Sequence, residues 1–402
     1  MKHLLLALTT ILLLAGCRDA TKDTGIVAGE TVVIDSLPGQ SPYLAKDPRG
    51  TIVLSWVRTL NDSSSVLCYA TSSDGVSFSP PFVIPGSENI EAHAENLPKI
   101  IVKPSGEMIA LWGTDSPDAA NKYAGLVYYA QSPDDGKTWS RPKRLVSDTA
   151  GYDQRYYDVA LLPDGEAGII WLDNRKTVTK EGSALYFSRT AGTGGFSPGR
   201  LISQPCCQCC RTALFTDSKG GIHAVYRAIL DDSIRDIVHI VSTDDGQTFS
   251  APQPVSRDNW VISGCPHTGP AMAENGTDLH FAWFTGGRDK GCFYTSSGDN
   301  GAHFAPRQQL SASGSHPQMV SLPGGQLLTV WDETIRRDDK FYKQIAIQQR
   351  SASGEAITMI SPDTAVASYP VITTLKENRC LVAYAEKKGT KNHIVCRIVT
   401  TR

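Results

Sequence analysis

Ser132-Pro133-Asp134-Asp135-Gly136-Lys137-Thr138-Trp139 returns as Ser242-Thr243-Asp244-Asp245-Gly246-Gln247-Thr248-Phe249 and again as Ser297-Gly298-Asp299-Asn300-Gly301-Ala302-His303-Phe304. A fourth copy, one residue shorter, is Ser72-Ser73-Asp74-Gly75-Val76-Ser77-Phe78, and degenerate relatives sit near residues 188–196 and 351–355. The chemistry of the pattern is local. Ser and Asp side chains bond nearby backbone amides and hold a turn. Glycine supplies a positive φ that other residues resist. The closing Trp or Phe buries a large ring against a neighbouring sheet. The pattern therefore predicts a clamp on a hairpin turn and no reactive group. The alternative, a calcium loop, lacks the ligand spacing such loops use.

A second repeat runs out of phase with the first. Segments rich in apolar, β-branched and aromatic residues occur at 51–57, 108–112, 167–171, 222–226, 279–283, 326–331 and 380–384, most of them ending in Trp or Tyr. Bounded by Gly and Asp/Asn turns, they read as strands. Their spacing of roughly 45–60 residues is that of four-stranded propeller blades. The expected fold is all-β: a single β-propeller of four-stranded blades, seven favoured, with six and a decorated end as the rival. The seventh unit offers three strands of its own, at 371–375, 380–384 and 393–400. A fourth is available at 31–35, so an N-terminal strand is expected to close the ring and remove its exposed edges.

The eight-residue pattern resembles the Asp box of the bacterial neuraminidase repeat, Ser-x-Asp-x-Gly-x-Thr-Trp, and is similar to the sialidase-like propellers along most of the chain. The resemblance implies glycan binding or exo-glycosidase-type hydrolysis. It implies a site where three arginines hold a substrate carboxylate, a Tyr backed by Glu is the nucleophile, and an Asp is the acid/base. Arginine suits that task because guanidinium grips carboxylate bidentately. On this reading the contact residues are Arg155, Arg175, Arg211 and Arg227, with Asp173 and Asp332 as carboxylates. Asp173-Asn174-Arg175, after Trp171, is the leading pair, Asp173 as acid and Arg175 as anion clamp. The chain also departs from the family. Sialidases have six blades, and their first blade carries Phe/Tyr-Arg-Ile-Pro where this chain reads Ser41-Pro42-Tyr43-Leu44.

The beginning of the chain suggests a compartment. Lys2 and His3 precede an apolar run that closes in Leu14-Ala15-Gly16-Cys17. A basic start, an apolar stretch of about 7–15 residues and a small-residue cleavage site describe an export signal. The run is shorter than the roughly 20 residues of a bilayer span. Its last four residues resemble a bacterial lipobox, which implies cleavage before Cys17 and lipidation of the Cys17 thiol. An ordinary signal peptide with a chance cysteine is the alternative. The expected organisation is a signal peptide at 1–16, a polar tether at 17–25 and the propeller at 26–402, exported and anchored to the cell envelope. The net charge is −2, and no basic stripe suggests nucleic acid. The expected partners are a glycan or small molecule at the mouth and the membrane, with the propeller a monomer.

Topology sorts the polar residues. With Asp-box turns joining the third strand of each blade to the fourth, the loops between blades share the opposite face with the loops from second to third strand. By fold analogy that face is the binding mouth. It receives Glu91, His93, Glu95, Asp153, His316 and the run Pro205-Cys206-Cys207-Gln208-Cys209-Cys210-Arg211, together with Cys265 and His267. Nine cysteines follow Cys17. Export favours disulfides, and an odd number leaves at least one thiol unpaired. Four thiols in five residues cannot all pair among themselves without strain. Three readings stand: long-range disulfides with Cys265 and Cys292, a redox-active dithiol, or a soft-metal site for copper or zinc built from Cys206, Cys207, Cys209, Cys210, Cys265 and His267. The last two would make the chain a metal or thiol-redox propeller. A third class, a non-catalytic binding module, predicts a flat aromatic mouth. Cys380 and Cys396 face one another if their hairpin turns near Lys388, which predicts a cross-strand disulfide. Cys68 reads as a buried free thiol. His223, His239 and His280 read as sheet residues, and His303, at the Thr position of an Asp box, as structural.

Overall fold

Each of the seven apolar segments becomes the second strand of an antiparallel four-stranded sheet. The computed structural model describes residues 25–88, 90–117, 121–148, 150–175, 181–352 and 354–402. The expected export signal, Cys17 and the expected tether up to residue 24 lie outside the described residues. Blade 1 runs from Gly39–Lys46 to Phe82–Val83, blade 2 from Lys99–Val102 to Lys143–Arg144, and blade 3 from Asp158–Leu161 to Arg200–Cys206. Blade 4 runs from Ala213–Thr216 to Gln253–Pro254, blade 5 from Ala271–Asn275 to Gln308–Ser311, and blade 6 from Gly314–Leu322 to Gly354–Met359. Blade 7 holds Ala367–Thr374, Arg379–Lys388 and Lys391–Thr401, and its outer strand comes from the other end of the chain. That outer strand is two short pieces: Ile26–Ala28 pairs with residues 399–401, and Val32–Val33 pairs with Val395 and Cys396. The closing strand thus starts earlier than the expected 31–35. The fold is a seven-bladed propeller.

The blades stack face to face, which explains why their second strands are apolar on both faces. One apolar cluster occupies each of the seven seams between neighbouring blades. Trp56, Trp112, Trp171, Tyr226, Trp283, Trp331 and Tyr384, one per second strand, are at most 1% exposed. Each such ring removes more apolar surface from water than an aliphatic side chain could.

The Asp boxes form the predicted clamps. In blade 2, Gly136 N donates to Ser132 Oγ (2.9 Å), and Thr138 N and Oγ1 both donate to the Asp134 carboxylate (2.8 and 2.7 Å). Gly136 has φ 83°, and a Cβ there would meet Tyr69 Oη at 2.4 Å, so the turn and the seam both require glycine. Trp139 packs edge-on against Tyr69 of the preceding blade, and Phe249 against Phe187 in the same way. In the third copy the His303 ring bonds Asp299 (2.6 Å) where a threonine hydroxyl bonds in the first two.

The expected Cys380–Cys396 disulfide is not formed. The hairpin turns after Lys388, which pairs with Lys391, so Cys380 lies opposite Val399 and Cys396 opposite Ala383. The offset is odd, which puts the two thiols on opposite faces of the sheet. Cys380 belongs to the seam with blade 6 and Cys396 to the seam with blade 1. Cys68 is a buried free thiol.

Candidate functional site at the propeller mouth

Three blades begin their inner strand with a bulge. Ser41-Pro42 together oppose Trp56, His316-Pro317 oppose Trp331, and Tyr369-Pro370 oppose Tyr384. The first residue of each pair has a positive φ, 57°, 54° and 54° respectively, as does Tyr156 (58°) at the head of blade 3 and His267 (49°) before blade 5. For residues other than glycine this conformation costs roughly 1–2 kcal/mol. Such strain persists where it is part of a site, and bulges there re-aim side chains.

What they aim at lies on the propeller axis. Glu95, from the loop before blade 2, accepts a bond from the Arg211 amide of blade 4 (3.1 Å) and lies 3.9 Å from His316 Nε2 of blade 6. Contacts among blades 2, 4 and 6 are made only across the centre of the ring. His316 Nδ1 bonds Asp332 (2.8 Å), Tyr369 N also donates to Asp332 (3.0 Å), and the His316 and Tyr369 rings are 4.1 Å apart. Burial raises the Glu95 carboxyl despite Arg211 and His316. Burial would also raise Asp332, but His316 and Lys343 hold it below the usual range. Tyr369 is pushed up to about 12 by burial, then by Glu95 and Asp332. Glu95 Oε1, Asp332 Oδ1, and Arg211 Nε and Nη2 are buried without hydrogen-bond partners. Each such group costs about 1–3 kcal/mol, which marks a place built for a ligand or ordered solvent. Below them, an axial cavity of about 160 Å³ contains the Lys99–Asp158 ion pair (2.7 Å) and is lined by Arg211 itself.

The other expected contact residues are engaged elsewhere. Arg155 is held by Glu91 (2.5 Å), Asp115 (2.8 Å) and Asp153 (2.8 Å). Arg227, 1% exposed, donates to the carbonyls of Arg235, Thr268 and Phe284 and stacks over Trp260. Arg175 pairs with Asp173 (2.5 Å), and fully buried Asp173 also accepts the indole N–H of Trp171 (3.4 Å). This last arrangement is a repeated structural device: Asp35 caps Trp56, Asp258 caps Trp283 and Glu333 caps Trp331, with Arg58 and Arg307 on the first two carboxylates. Asp173 and Arg175 therefore satisfy one another at the end of the second strand of blade 3. Of the four expected arginines, Arg211 alone reaches the axial cluster, alongside the expected Asp332; its Nε and Nη2 are unpartnered, and Arg227, whose Nε is also unpartnered, lies outside that cluster. Glu95 and His316, which the sequence placed at the mouth, join them, as does Tyr369. Their signal was the dipeptide repeat Ser41-Pro42, Leu97-Pro98, Gly269-Pro270, His316-Pro317 and Tyr369-Pro370 at the heads of inner strands.

Beside the axis, the cysteine run folds onto itself. Cys207 Sγ lies 3.9 Å from Cys209 Sγ and 3.7 Å from Cys210 Sγ. The ligand atoms of Cys209, Cys265 and His267 all lie within 4.8 Å of one another. Five of the six expected residues are thus brought together. Cys206 is not among them: its Sγ faces the Ser203 carbonyl at 3.9 Å. Cys292 is buried in the seam between blades 5 and 6, and Cys265 and the four thiols of the run are all free, so the expected long-range disulfides from the run to Cys265 and Cys292 are not formed. Bonds from the Cys209 and Cys210 thiols, then the charges of Arg227 and Arg235, hold Cys207 well below the usual thiol range. Burial raises Cys210. His93, whose ring is 5.5 Å from that of His267, is lowered to about 4 by burial and is a neutral imidazole.

No curated protein matches the chain at the level of sequence. Among solved structures, a protein of unknown function from Dyadobacter fermentans is 18% identical and covers 94% of this chain and 100% of its own, with a TM-score of 0.55. The polysaccharide lyase Uly1 is 11% identical over 91% of this chain and 90% of its own, TM-score 0.57. The intramolecular trans-sialidase from Ruminococcus gnavus is 10% identical over 90% and 94%, TM-score 0.52. At these identities the likeness is one of fold. Residues 83–338 match the family described as BNR repeat-like domain. With its Asp-box clamps and its ring of four-stranded blades, the chain belongs to the BNR repeat-like family of sialidase-like β-propellers.

Proposed function

We propose that the protein acts on a carboxylate-bearing glycan held at the axial mouth, in the cell envelope, where the export signal and a lipidated Cys17 would place it. The observation that carries this reading is Arg211. Its Nε and Nη2, one edge of the guanidinium, are buried and unpartnered, and that edge is the one a carboxylate accepts bidentately. Two proteins of similar fold, a trans-sialidase and a polysaccharide lyase, agree with a glycan ligand.

The neighbours of the clamp suit proton transfer. Ionised Asp332 accepts from His316 Nδ1, which fixes the tautomer and leaves Nε2 free toward the axis. Glu95, raised by burial, is poised as the acid for a leaving glycosidic oxygen. That set supports exo-glycosidase-type hydrolysis. A second reading, elimination from a uronate, is favoured by Tyr369: held protonated by burial and then by its acidic neighbours, it is a proton donor and not a tyrosinate nucleophile. The test incubates the mature protein with a fluorogenic sialoside and, separately, with uronate oligosaccharides. Fluorophore release reports hydrolysis, and ultraviolet absorbance of an unsaturated uronate reports elimination. One signal is expected, falling by about 100-fold or more in Arg211→Met, as loss of a charged hydrogen-bond pair implies. Neither signal, together with no calorimetric binding of acidic oligosaccharides, overturns the proposal.

A further inference from the structure

The thiols beside the axis have a spacing that disulfides do not have. A disulfide needs its sulfurs about 2.05 Å apart. Thiolates arranged round one ion at metal–sulfur distances of about 2.3 Å stand roughly 3.7–4.0 Å from each other. Cys207 Sγ stands 3.9 Å from Cys209 Sγ and 3.7 Å from Cys210 Sγ. All three are buried. The turn that holds them is anchored on both sides, by Cys207 N to the Arg227 carbonyl (2.8 Å) and by Arg211 N to Glu95 (3.1 Å).

We propose that Cys207, Cys209 and Cys210 bind one copper(I) ion, delivered through Cys265 and His267. Sulfur donors select soft cations, copper(I) and zinc foremost. Structural zinc asks for four ligands, whereas Cys265 and His267 group with Cys209 and not with the other two thiols. Three buried thiolates and a monovalent cation leave a net negative charge, and the Arg227 and Arg235 guanidiniums act on Cys207 to offset it. Access is provided as well. A cavity of about 360 Å³ opens onto Cys207 and Cys209, with Asp232 and Arg235 in its wall and Cys265 at its rim. Cys265 and His267 are exposed. They form with Cys209 an outer triad that shares one thiol with the inner triad. An ion captured outside can exchange ligands through Cys209 and move inward without being released. Each thiol that bonds the ion gives its proton to solvent, and no change of oxidation state is involved. This site stands apart from the glycan reading, and neither depends on the other.

The test titrates the reduced mature protein anaerobically with copper(I) against a chromophoric chelator, and separately with zinc(II). One equivalent of copper(I) is expected to resist the chelator, and X-ray absorption of that wild-type complex is expected to show three sulfur neighbours. Cys207→Ser loses the tight equivalent. Cys265→Ser and His267→Ala keep it but take it up about tenfold more slowly, the usual scale for a supporting ligand. Circular dichroism checks that the variants fold, and the absorption spectrum needs no variant. A Cys207–Cys210 disulfide that takes up no copper after reduction overturns the proposal. So do zinc binding in preference to copper, wild-type copper affinity in Cys207→Ser, and a spectrum without sulfur neighbours.

Discussion

At Asp173 a single carboxylate holds the indole N–H of Trp171 and the guanidinium of Arg175 at the end of the second strand of blade 3. Its short sequence neighbourhood, an Asp and an Arg after a Trp, is equally suited to a reactive pair and to a buried cap. The deciding fact is burial, because a fully desolvated carboxylate needs its partners where it stands. Asp173→Ala is therefore expected to lower stability by roughly 3–5 kcal/mol in urea unfolding, the scale for breaking a buried pair. Acidic-glycan binding per folded molecule should be unchanged. Other residues set the response to pH. Bonds from the backbone and side chain of Thr138 hold Asp134 at about 2, Thr248 does the same for Asp244, and His303 for Asp299. These folded values lie below the ordinary value of about 3.9. Their contribution is thus complete above that pH and is lost as the pH falls toward 2. His239 is lowered to about 3 by burial, then by His223. It stays neutral in the fold while the unfolded chain takes a proton below about 6.5, so stability starts to decline there. Urea midpoints measured across pH should fall in two stages, beginning near those two values. His239→Gln should shrink the first stage, the remainder coming from His93, His223 and His280, which burial lowers as well.

The strands illustrate how much local pattern carries. The seven second strands, their terminal Trp or Tyr and the clamp turns were legible because each depends on residues a few positions apart. Register was less so. The Cys380–Cys396 expectation misplaced one turn, and an odd shift exchanges the faces of a strand. Reductant should accordingly leave the melting temperature unchanged, with both thiols found free by mass spectrometry under non-reducing conditions. The bulges at Ser41, His316 and Tyr369 were also missed, since two residues opposing one is a property of a strand pair. The closing strand is the element on which the ring depends. Removing residues 26–33 leaves the backbone of Lys391–Thr401 unpaired along its outer edge. That truncated chain is expected to elute as soluble aggregate on size exclusion, where the chain from residue 17 onward is expected to elute as a monomer.

Closure of the whole ring creates both candidate sites. Glu95, Arg211 and His316 are separated by more than a hundred residues along the chain in each successive step, yet they touch across the axis. Cys209 meets Cys265 and His267 only because blades 3, 4 and 5 are adjacent sectors. The envelope reading belongs to this scale too. Cys17→Ser is expected to abolish incorporation of an alkyne-tagged fatty acid and to release the protein from membrane fractions, and unchanged fractionation with no label in the wild type would count against lipidation. By itself, the amino-acid sequence determined the all-β class, the blade repeat, the clamp turns and the buried rings. All of these rest on periodicity and turn chemistry, which act over short distances. The tertiary structure decided which polar groups are satisfied and which are left open: Asp173, Arg155 and Arg227 spent on internal partners, Arg211 left with a free edge, Cys206 turned away from Cys207. The reason is physical. Desolvation and hydrogen-bond satisfaction depend on every group within a few ångströms, and in a closed ring those groups come from blades far apart in the chain.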